Sequence, residues 1–159
     1  MTPGTLITVI VALGVTVAAL ASILVRYLAT RPKWRTIHLP GFTFYAAGTI
    51  DDAKLSEALL VAVECLSPIW SRDIILTSLT VHPLHVFVMD SESWLNVAGV
   101  RVGGEAEHQY LKVGPSLSAL CHEMVHYLQW CVGEHEDHQH STWDARIWQA
   151  DEAYRAAIK

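Results

Sequence analysis

The stretch His122-Glu123-Met124-Val125-His126 carries the clearest chemistry in this chain. Two histidines four residues apart on a helix project from one face, so both imidazoles can bind one metal ion, and Glu123 can reach a water held there. The donor type and spacing point to zinc. With three protein ligands, zinc keeps a fourth position for water, whose pKa falls towards roughly 7, and Glu123 then serves as general base for attack on a carbonyl.

Two histidines do not complete such a site, so a third ligand must come from the sequence after Gly133. That sequence reads Glu134-His135-Glu136-Asp137-His138-Gln139-His140. His140 stands just before an expected helix start, where a side chain is held rigidly, and is preferred. His138 is the next candidate. A carboxylate from the last helix, Glu152, is a further alternative, although Asp151 and Glu152 read more simply as a solvated helix face. His135, Tyr110, Tyr127 and Tyr154 are candidates for hydrogen bonding to the oxyanion or the substrate carbonyl.

These side chains need elements to hold them. Leu117, Leu120, Cys121, Met124, Val125, Leu128 and Cys131 recur at helical spacing, which predicts a helix over Ser116–Val132 with start signals at Pro115 and Ser116 and a stop at Gly133. The histidines fall away from the centre of that stripe, where a cleft can open. A capping-box pattern at Ser141 and Asp144 predicts a last helix with Trp143, Ile147, Ala150, Tyr154 and Ile158 on one face. Upstream, alternation of Phe42, Phe44 and Ala46 with polar or small residues predicts a strand over Gly41–Ala47. A capping pattern at Thr49–Asp52 opens a helix carrying Leu55, Ala58, Leu59, Ala62, Val63 and Leu66, and Pro68 ends it. Ile74–Leu79 and Leu84–Met89 read as strands, and His82 and His85 near them as structural. Gly99, Gly103 and Gly104 mark a loop or hairpin. Gln109–Val113 reads as an edge strand that could offer its backbone to an extended peptide.

His122-Glu123-Met124-Val125-His126-Tyr127-Leu128-Gln129-Trp130, a polar loop, and then His140-Ser141-Thr142-Trp143-Asp144-Ala145-Arg146-Ile147 resemble the SprT-like group of zincin metallopeptidases. In that group the metal helix is followed, after a similar loop, by a third histidine, a small residue, an aromatic and a short helix. The resemblance implies His122, His126 and His140 as zinc ligands and Glu123 as catalytic base, and it covers roughly the last third of the chain. Spacing from His140 to Trp143 is one residue shorter than the group's usual pattern, which keeps His138 open. The basic surface of the group's DNA-repair members is missing.

The rest of the composition bounds the setting. The chain has 159 residues, of which 52% are hydrophobic, and a net charge of -5. An acidic balance without basic runs disfavours a nucleic-acid partner. Three cysteines without a Cys-x-x-Cys pair argue against a disulfide framework or a thiolate metal site. Leu6–Val25 holds no charged residue and is about as long as a helix that crosses a bilayer. Arg26, Arg31, Lys33 and Arg35 all follow it, which by the positive-inside rule predicts a cytoplasmic C-terminal part.

The expected architecture is therefore α+β. Residues 1–28 form a transmembrane anchor, residues 29–40 a juxtamembrane linker, and residues 41–159 a small zincin-like domain with a mixed sheet and a metal-binding helix. The expected activity is that of a membrane-anchored, single-pass zinc metalloendopeptidase acting on protein or peptide. The alternative is a non-catalytic, membrane-tethered structural or assembly protein with a structural zinc site.

Overall fold

A computed structural model describes residues 17, 19–23, 25, 34–47, 50–134, 140 and 143–158 of the chain. Its contacts divide the chain into two units, Met1–Pro32 and Lys33–Lys159. In the first unit the described positions are helical. Among the described residues, however, no helix is long and apolar enough to cross a membrane. This overturns the N-terminal transmembrane helix and, with it, the single-pass membrane placement. Spanning needs about 20 consecutive apolar residues in one helix, and most of the run Leu6–Val25 lies outside the described residues.

The second unit is α+β, as expected, and begins within the stretch read as linker. Residues Trp34–Leu39 form β1, which pairs antiparallel with β2, Phe42–Ala47. Gly41 turns the chain between them at a φ of +79°, where a Cβ would also sit 3.0 Å from Cβ of Leu79. Glycine meets both demands at once. Along β2 the alternation works as read: Phe42, Phe44 and Ala46 are buried, while Thr43, Tyr45 and Ala47 are half-buried.

Helix α1, Asp52–Leu66, is capped by Asp51, whose carboxylate accepts from the backbone N–H of Ala53 at 3.0 Å. Its predicted apolar stripe, Leu55 to Leu66, is buried throughout. Residues Ile74–Leu79, expected as a strand, lie instead in α2, Arg72–Val81. Ser71 caps that helix by accepting from Ile74 N–H, and the burial of Ile75, Ser78 and Leu79 follows a three-to-four spacing. Local capping outweighed the β-forming side chains, a weak preference that packing routinely overrides.

Strand β3, Leu84–Val88, is followed by a small hairpin of β4, Trp94–Leu95, and β5, Arg101–Val102. Then come β6, Gly104–Glu107, and β7, Tyr110–Val113. The main sheet has the order β1-β2-β3-β7-β6, with β2, β3 and β7 parallel and the outer strands antiparallel to their neighbours. Strand β7 is thus interior, and the edge beside the metal helix is β6. The peptide shelf expected at Gln109–Val113 is corrected accordingly, because both sides of β7 are already paired.

Helix α3, Leu120–Cys131, carries the metal motif and packs against β6 and β7. Helix α1 lies against α3 and against the last helix, α4, Ala145–Ala157. Between them and the sheet lies a core that includes Phe44, Val86, Leu111, Leu55, Leu66, Leu120, Met124 and Leu128, all without exposed surface. Each such side chain contributes about 1.5–3 kcal/mol on burial, which anchors α3 from behind and fixes the direction of its histidines.

Candidate metal centre

The metal helix starts later than its apolar spacing suggested. Leu117 is fully buried with a φ of +63°, a left-handed conformation that cannot belong to a right-handed helix, so α3 begins at Leu120. That bend is clamped from two sides. The hydroxyl of Tyr154 donates to the Leu117 carbonyl at 2.8 Å, and Glu92 accepts from Ser116 N–H at 2.9 Å and from its hydroxyl at 2.7 Å. At the other end Gly133, with a φ of +74°, terminates the helix as read.

On α3 the two histidines converge, and His140 meets them from the far side of the loop. His122, His126 and His140 each offer a ring nitrogen, and these atoms lie within 4.8 Å of one another. The Nε2 atoms of His122 and His140 are 3.1 Å apart. Tetrahedral zinc with bonds of about 2.0–2.1 Å sets its ligand nitrogens roughly 3.3 Å apart, so the spacing suits a small cation. The three rings are close enough to hold a metal ion. A neutral three-imidazole donor set, with no fourth protein ligand among the described residues, suits a divalent metal that keeps a coordination position for solvent.

Aromatic side chains wall the triad. Trp143 stands against all three histidines, with ring centroids 4.6 Å from His122, 5.2 Å from His126 and 4.4 Å from His140, and Trp148 backs it at 5.0 Å. His140 itself takes a φ of +58° and accepts from Trp143 N–H at 3.2 Å, which closes the turn into α4. The cap of α4 is Asp144, accepting from Arg146 and Ile147, and not Ser141.

Among the alternative ligands, Glu152 is exposed on α4 and takes no part in the cluster, as its reading as a solvated position implied. His135 and His138 lie outside the described residues. Asp151 departs from expectation. It is 4% exposed, with Oδ2 3.6 Å from Nδ1 of His122 and within 3.0 Å of Nε of Arg155. Burial alone would raise its carboxyl, but the His122 ring and Arg155 outweigh burial and hold it below the usual carboxylate value. Nδ1 of His122 is buried without a hydrogen bond, so the nearby carboxylate is the group that can orient that ring. The signal was present in the sequence: Asp151 lies four residues after Ile147, on the apolar face of α4.

A cavity of about 690 Å³ opens in front of the triad, bounded by α3, by β6 and by Arg155. Glu123 lines it but is only 6% exposed. Burial pushes its carboxyl up to about 7, a rise that His122 opposes and Asp151 reinforces. Gly104 of β6 lies directly against this side chain, and Gly103 to Glu107 form one wall of the cavity.

The tyrosines proposed for oxyanion binding point elsewhere. Tyr127 donates to the His82 carbonyl at 2.7 Å, Tyr154 donates to Leu117, and Tyr110 stacks on His85 across the sheet. None of the three lines the cavity. No family model, curated protein or solved structure matches the chain.

Proposed function

We propose that the Lys33–Lys159 unit is a zinc-dependent peptidase in which His122, His126 and His140 hold the ion and Glu123 is the catalytic base. The observation that carries this reading is the joint placement of three imidazoles and the buried carboxyl of Glu123 on one cavity of about 690 Å³, beside strand β6, the sheet edge among the described residues. A zinc ion there would supply Lewis acidity for a carbonyl and a lowered pKa for water.

The protein's own groups account for the remaining steps. Glu123, which lines the cavity beside the triad, takes the proton from the attacking water and returns it to the leaving amine. Strand β6, unpaired on its outer side among the described residues, offers backbone groups to a peptide in extended form and carries it past Glu123. Asp151 holds the His122 ring, and Trp143 and Trp148 keep solvent from the ligands' far side.

The test uses the full chain, zinc analysis and a mixture of quenched fluorescent peptides. The reading expects cleavage that disappears in Glu123→Gln while zinc content and folding stay unchanged. Zinc retained with no peptide cut by either protein would leave a stapling role for the metal instead.

A further inference from the structure

Arg155 stands one helical turn beyond Asp151 on α4, and its Nε and Nη2 lie 3.0 Å and 2.9 Å from the same carboxylate oxygen, Oδ2. That oxygen is also the one 3.6 Å from the His122 ring. One buried carboxylate therefore binds a guanidinium and stands beside a triad histidine. The guanidinium is not enclosed with it: the Arg155 side chain is 47% exposed and lines the cavity together with His122 and Glu123.

We infer that Arg155 is the anion-binding group of this cleft and that the substrate it takes carries a carboxylate there, an inference that rests on the peptidase reading. An arginine needed only to neutralise Asp151 would gain nothing from reaching into the cavity. The contacts with Asp151 use one edge of the planar fork, and Nη1 takes no part in them. A guanidinium already held on one edge loses little further freedom on binding, and its geometry matches a carboxylate.

The surrounding charges give the inference its direction. The other charged groups on the cavity wall are Glu92, Glu105, Glu107 and Glu123, so Arg155 is the one lysine or arginine among the described lining residues. Away from the triad an anionic group meets the carboxylates of Glu92, Glu107 and Glu123, whereas at Arg155 it meets a fixed cation; a metal ion at the triad would be a second point of attraction, which the Arg155 variants separate from the first. A peptide is thereby oriented, with its carboxylate at the α4 side and the remaining chain along β6. The carboxylate comes either from the C-terminus or from an acidic side chain, and both present the same two oxygens.

The experiment is a calorimetric titration of the zinc-loaded full chain with three probes: N-acetyl-Ala-Ala, its C-terminal amide, and N-acetyl-Ala-Glu-amide. The inference expects one of the two carboxylate probes to bind at least tenfold more tightly than the neutral amide, and which one does so identifies the source. Arg155→Met should remove that preference with zinc content retained, and Arg155→Lys should keep part of it. Arg155→Gln, which can still donate to Asp151, replaces the Met variant if that one loses zinc. Equal binding of all three probes, or a preference that survives loss of the guanidinium, overturns the inference. Because this readout is binding, absence of peptide cleavage alongside an Arg155-dependent preference would sink the peptidase reading and leave the anion site standing.

Discussion

A methyl group placed on Gly104 would lie 2.1 Å from Oε1 of Glu123 and 2.8 Å from its Cδ. Strand β6 and Glu123 are therefore in direct contact, and the lack of a side chain at Gly104 is what leaves room for the carboxyl. Gly104→Ala should displace Glu123 while sparing the triad. The expected outcome is a fall in kcat/KM on the order of 100-fold with zinc content unchanged, measured by peptide assay and metal analysis on the same preparation.

Removing the third imidazole distinguishes the candidate ligands. His140→Ala should cost most of the bound zinc, and Glu152→Ala, at an exposed position outside the cluster, should cost none. Zinc retained by the His140 variant and lost from a His138 variant would reassign the ligand.

Asp151→Asn keeps the shape of the side chain but removes its charge from the His122 ring. Loss of a carboxylate that orients a ligating histidine typically weakens metal affinity by about 10–100-fold, and a competitive chelator titration reads this directly. The folded fraction, followed by circular dichroism, should change far less than the affinity.

Glu123 also makes the metal-free protein sensitive to pH. Burial raises its carboxyl from an ordinary 4.5 to about 7. A raised folded value means that its contribution to stability is fully present below about 4.5 and is lost as pH rises through about 7. Across that window the loss is on the order of 3 kcal/mol. Glu123→Gln removes the carboxyl, so its urea midpoint should exceed that of the parent near pH 8 and approach it near pH 4. Equal differences at the two pH values would contradict the assignment.

Tyr154→Phe removes the hydroxyl that donates to Leu117 and leaves a buried carbonyl at the strained bend before α3. A cost of about 1–3 kcal/mol is expected from the unsatisfied acceptor, read as a lowered Tm.

Much of this was visible in the linear chain because periodicity reports directly on burial. The α1 stripe, the β2 alternation and the HExxH face each follow from which side chains must leave water. Three features escaped for physical reasons. Ile74–Leu79 is rich in β-formers, yet a serine cap and packing against α1 and α3 decided its state. Gln109–Val113 looked like an edge because its neighbours in space, β3 and β6, are fixed by long-range pairing and not by local pattern. Apolar composition over Leu6–Val25 measures transfer free energy, and no helix among the described residues is long and apolar enough to cross a membrane. At the centre itself the ligand types could be read, and the carboxylate behind His122 lay on the apolar face of α4 that the spacing had marked, but a lone acidic residue there reads first as solvated.

The outer side of β6 has a second consequence. A row of open amide and carbonyl groups able to accept a peptide is equally able to accept the same strand of a neighbouring molecule, the usual first step of sheet-driven self-association. Two features oppose it here: the strand is only four residues long, and it bears Glu107, whose charge repels an identical edge, while Glu105 is paired with Lys112. The openness of this edge and the features that oppose its pairing with itself thus lie in the same four positions.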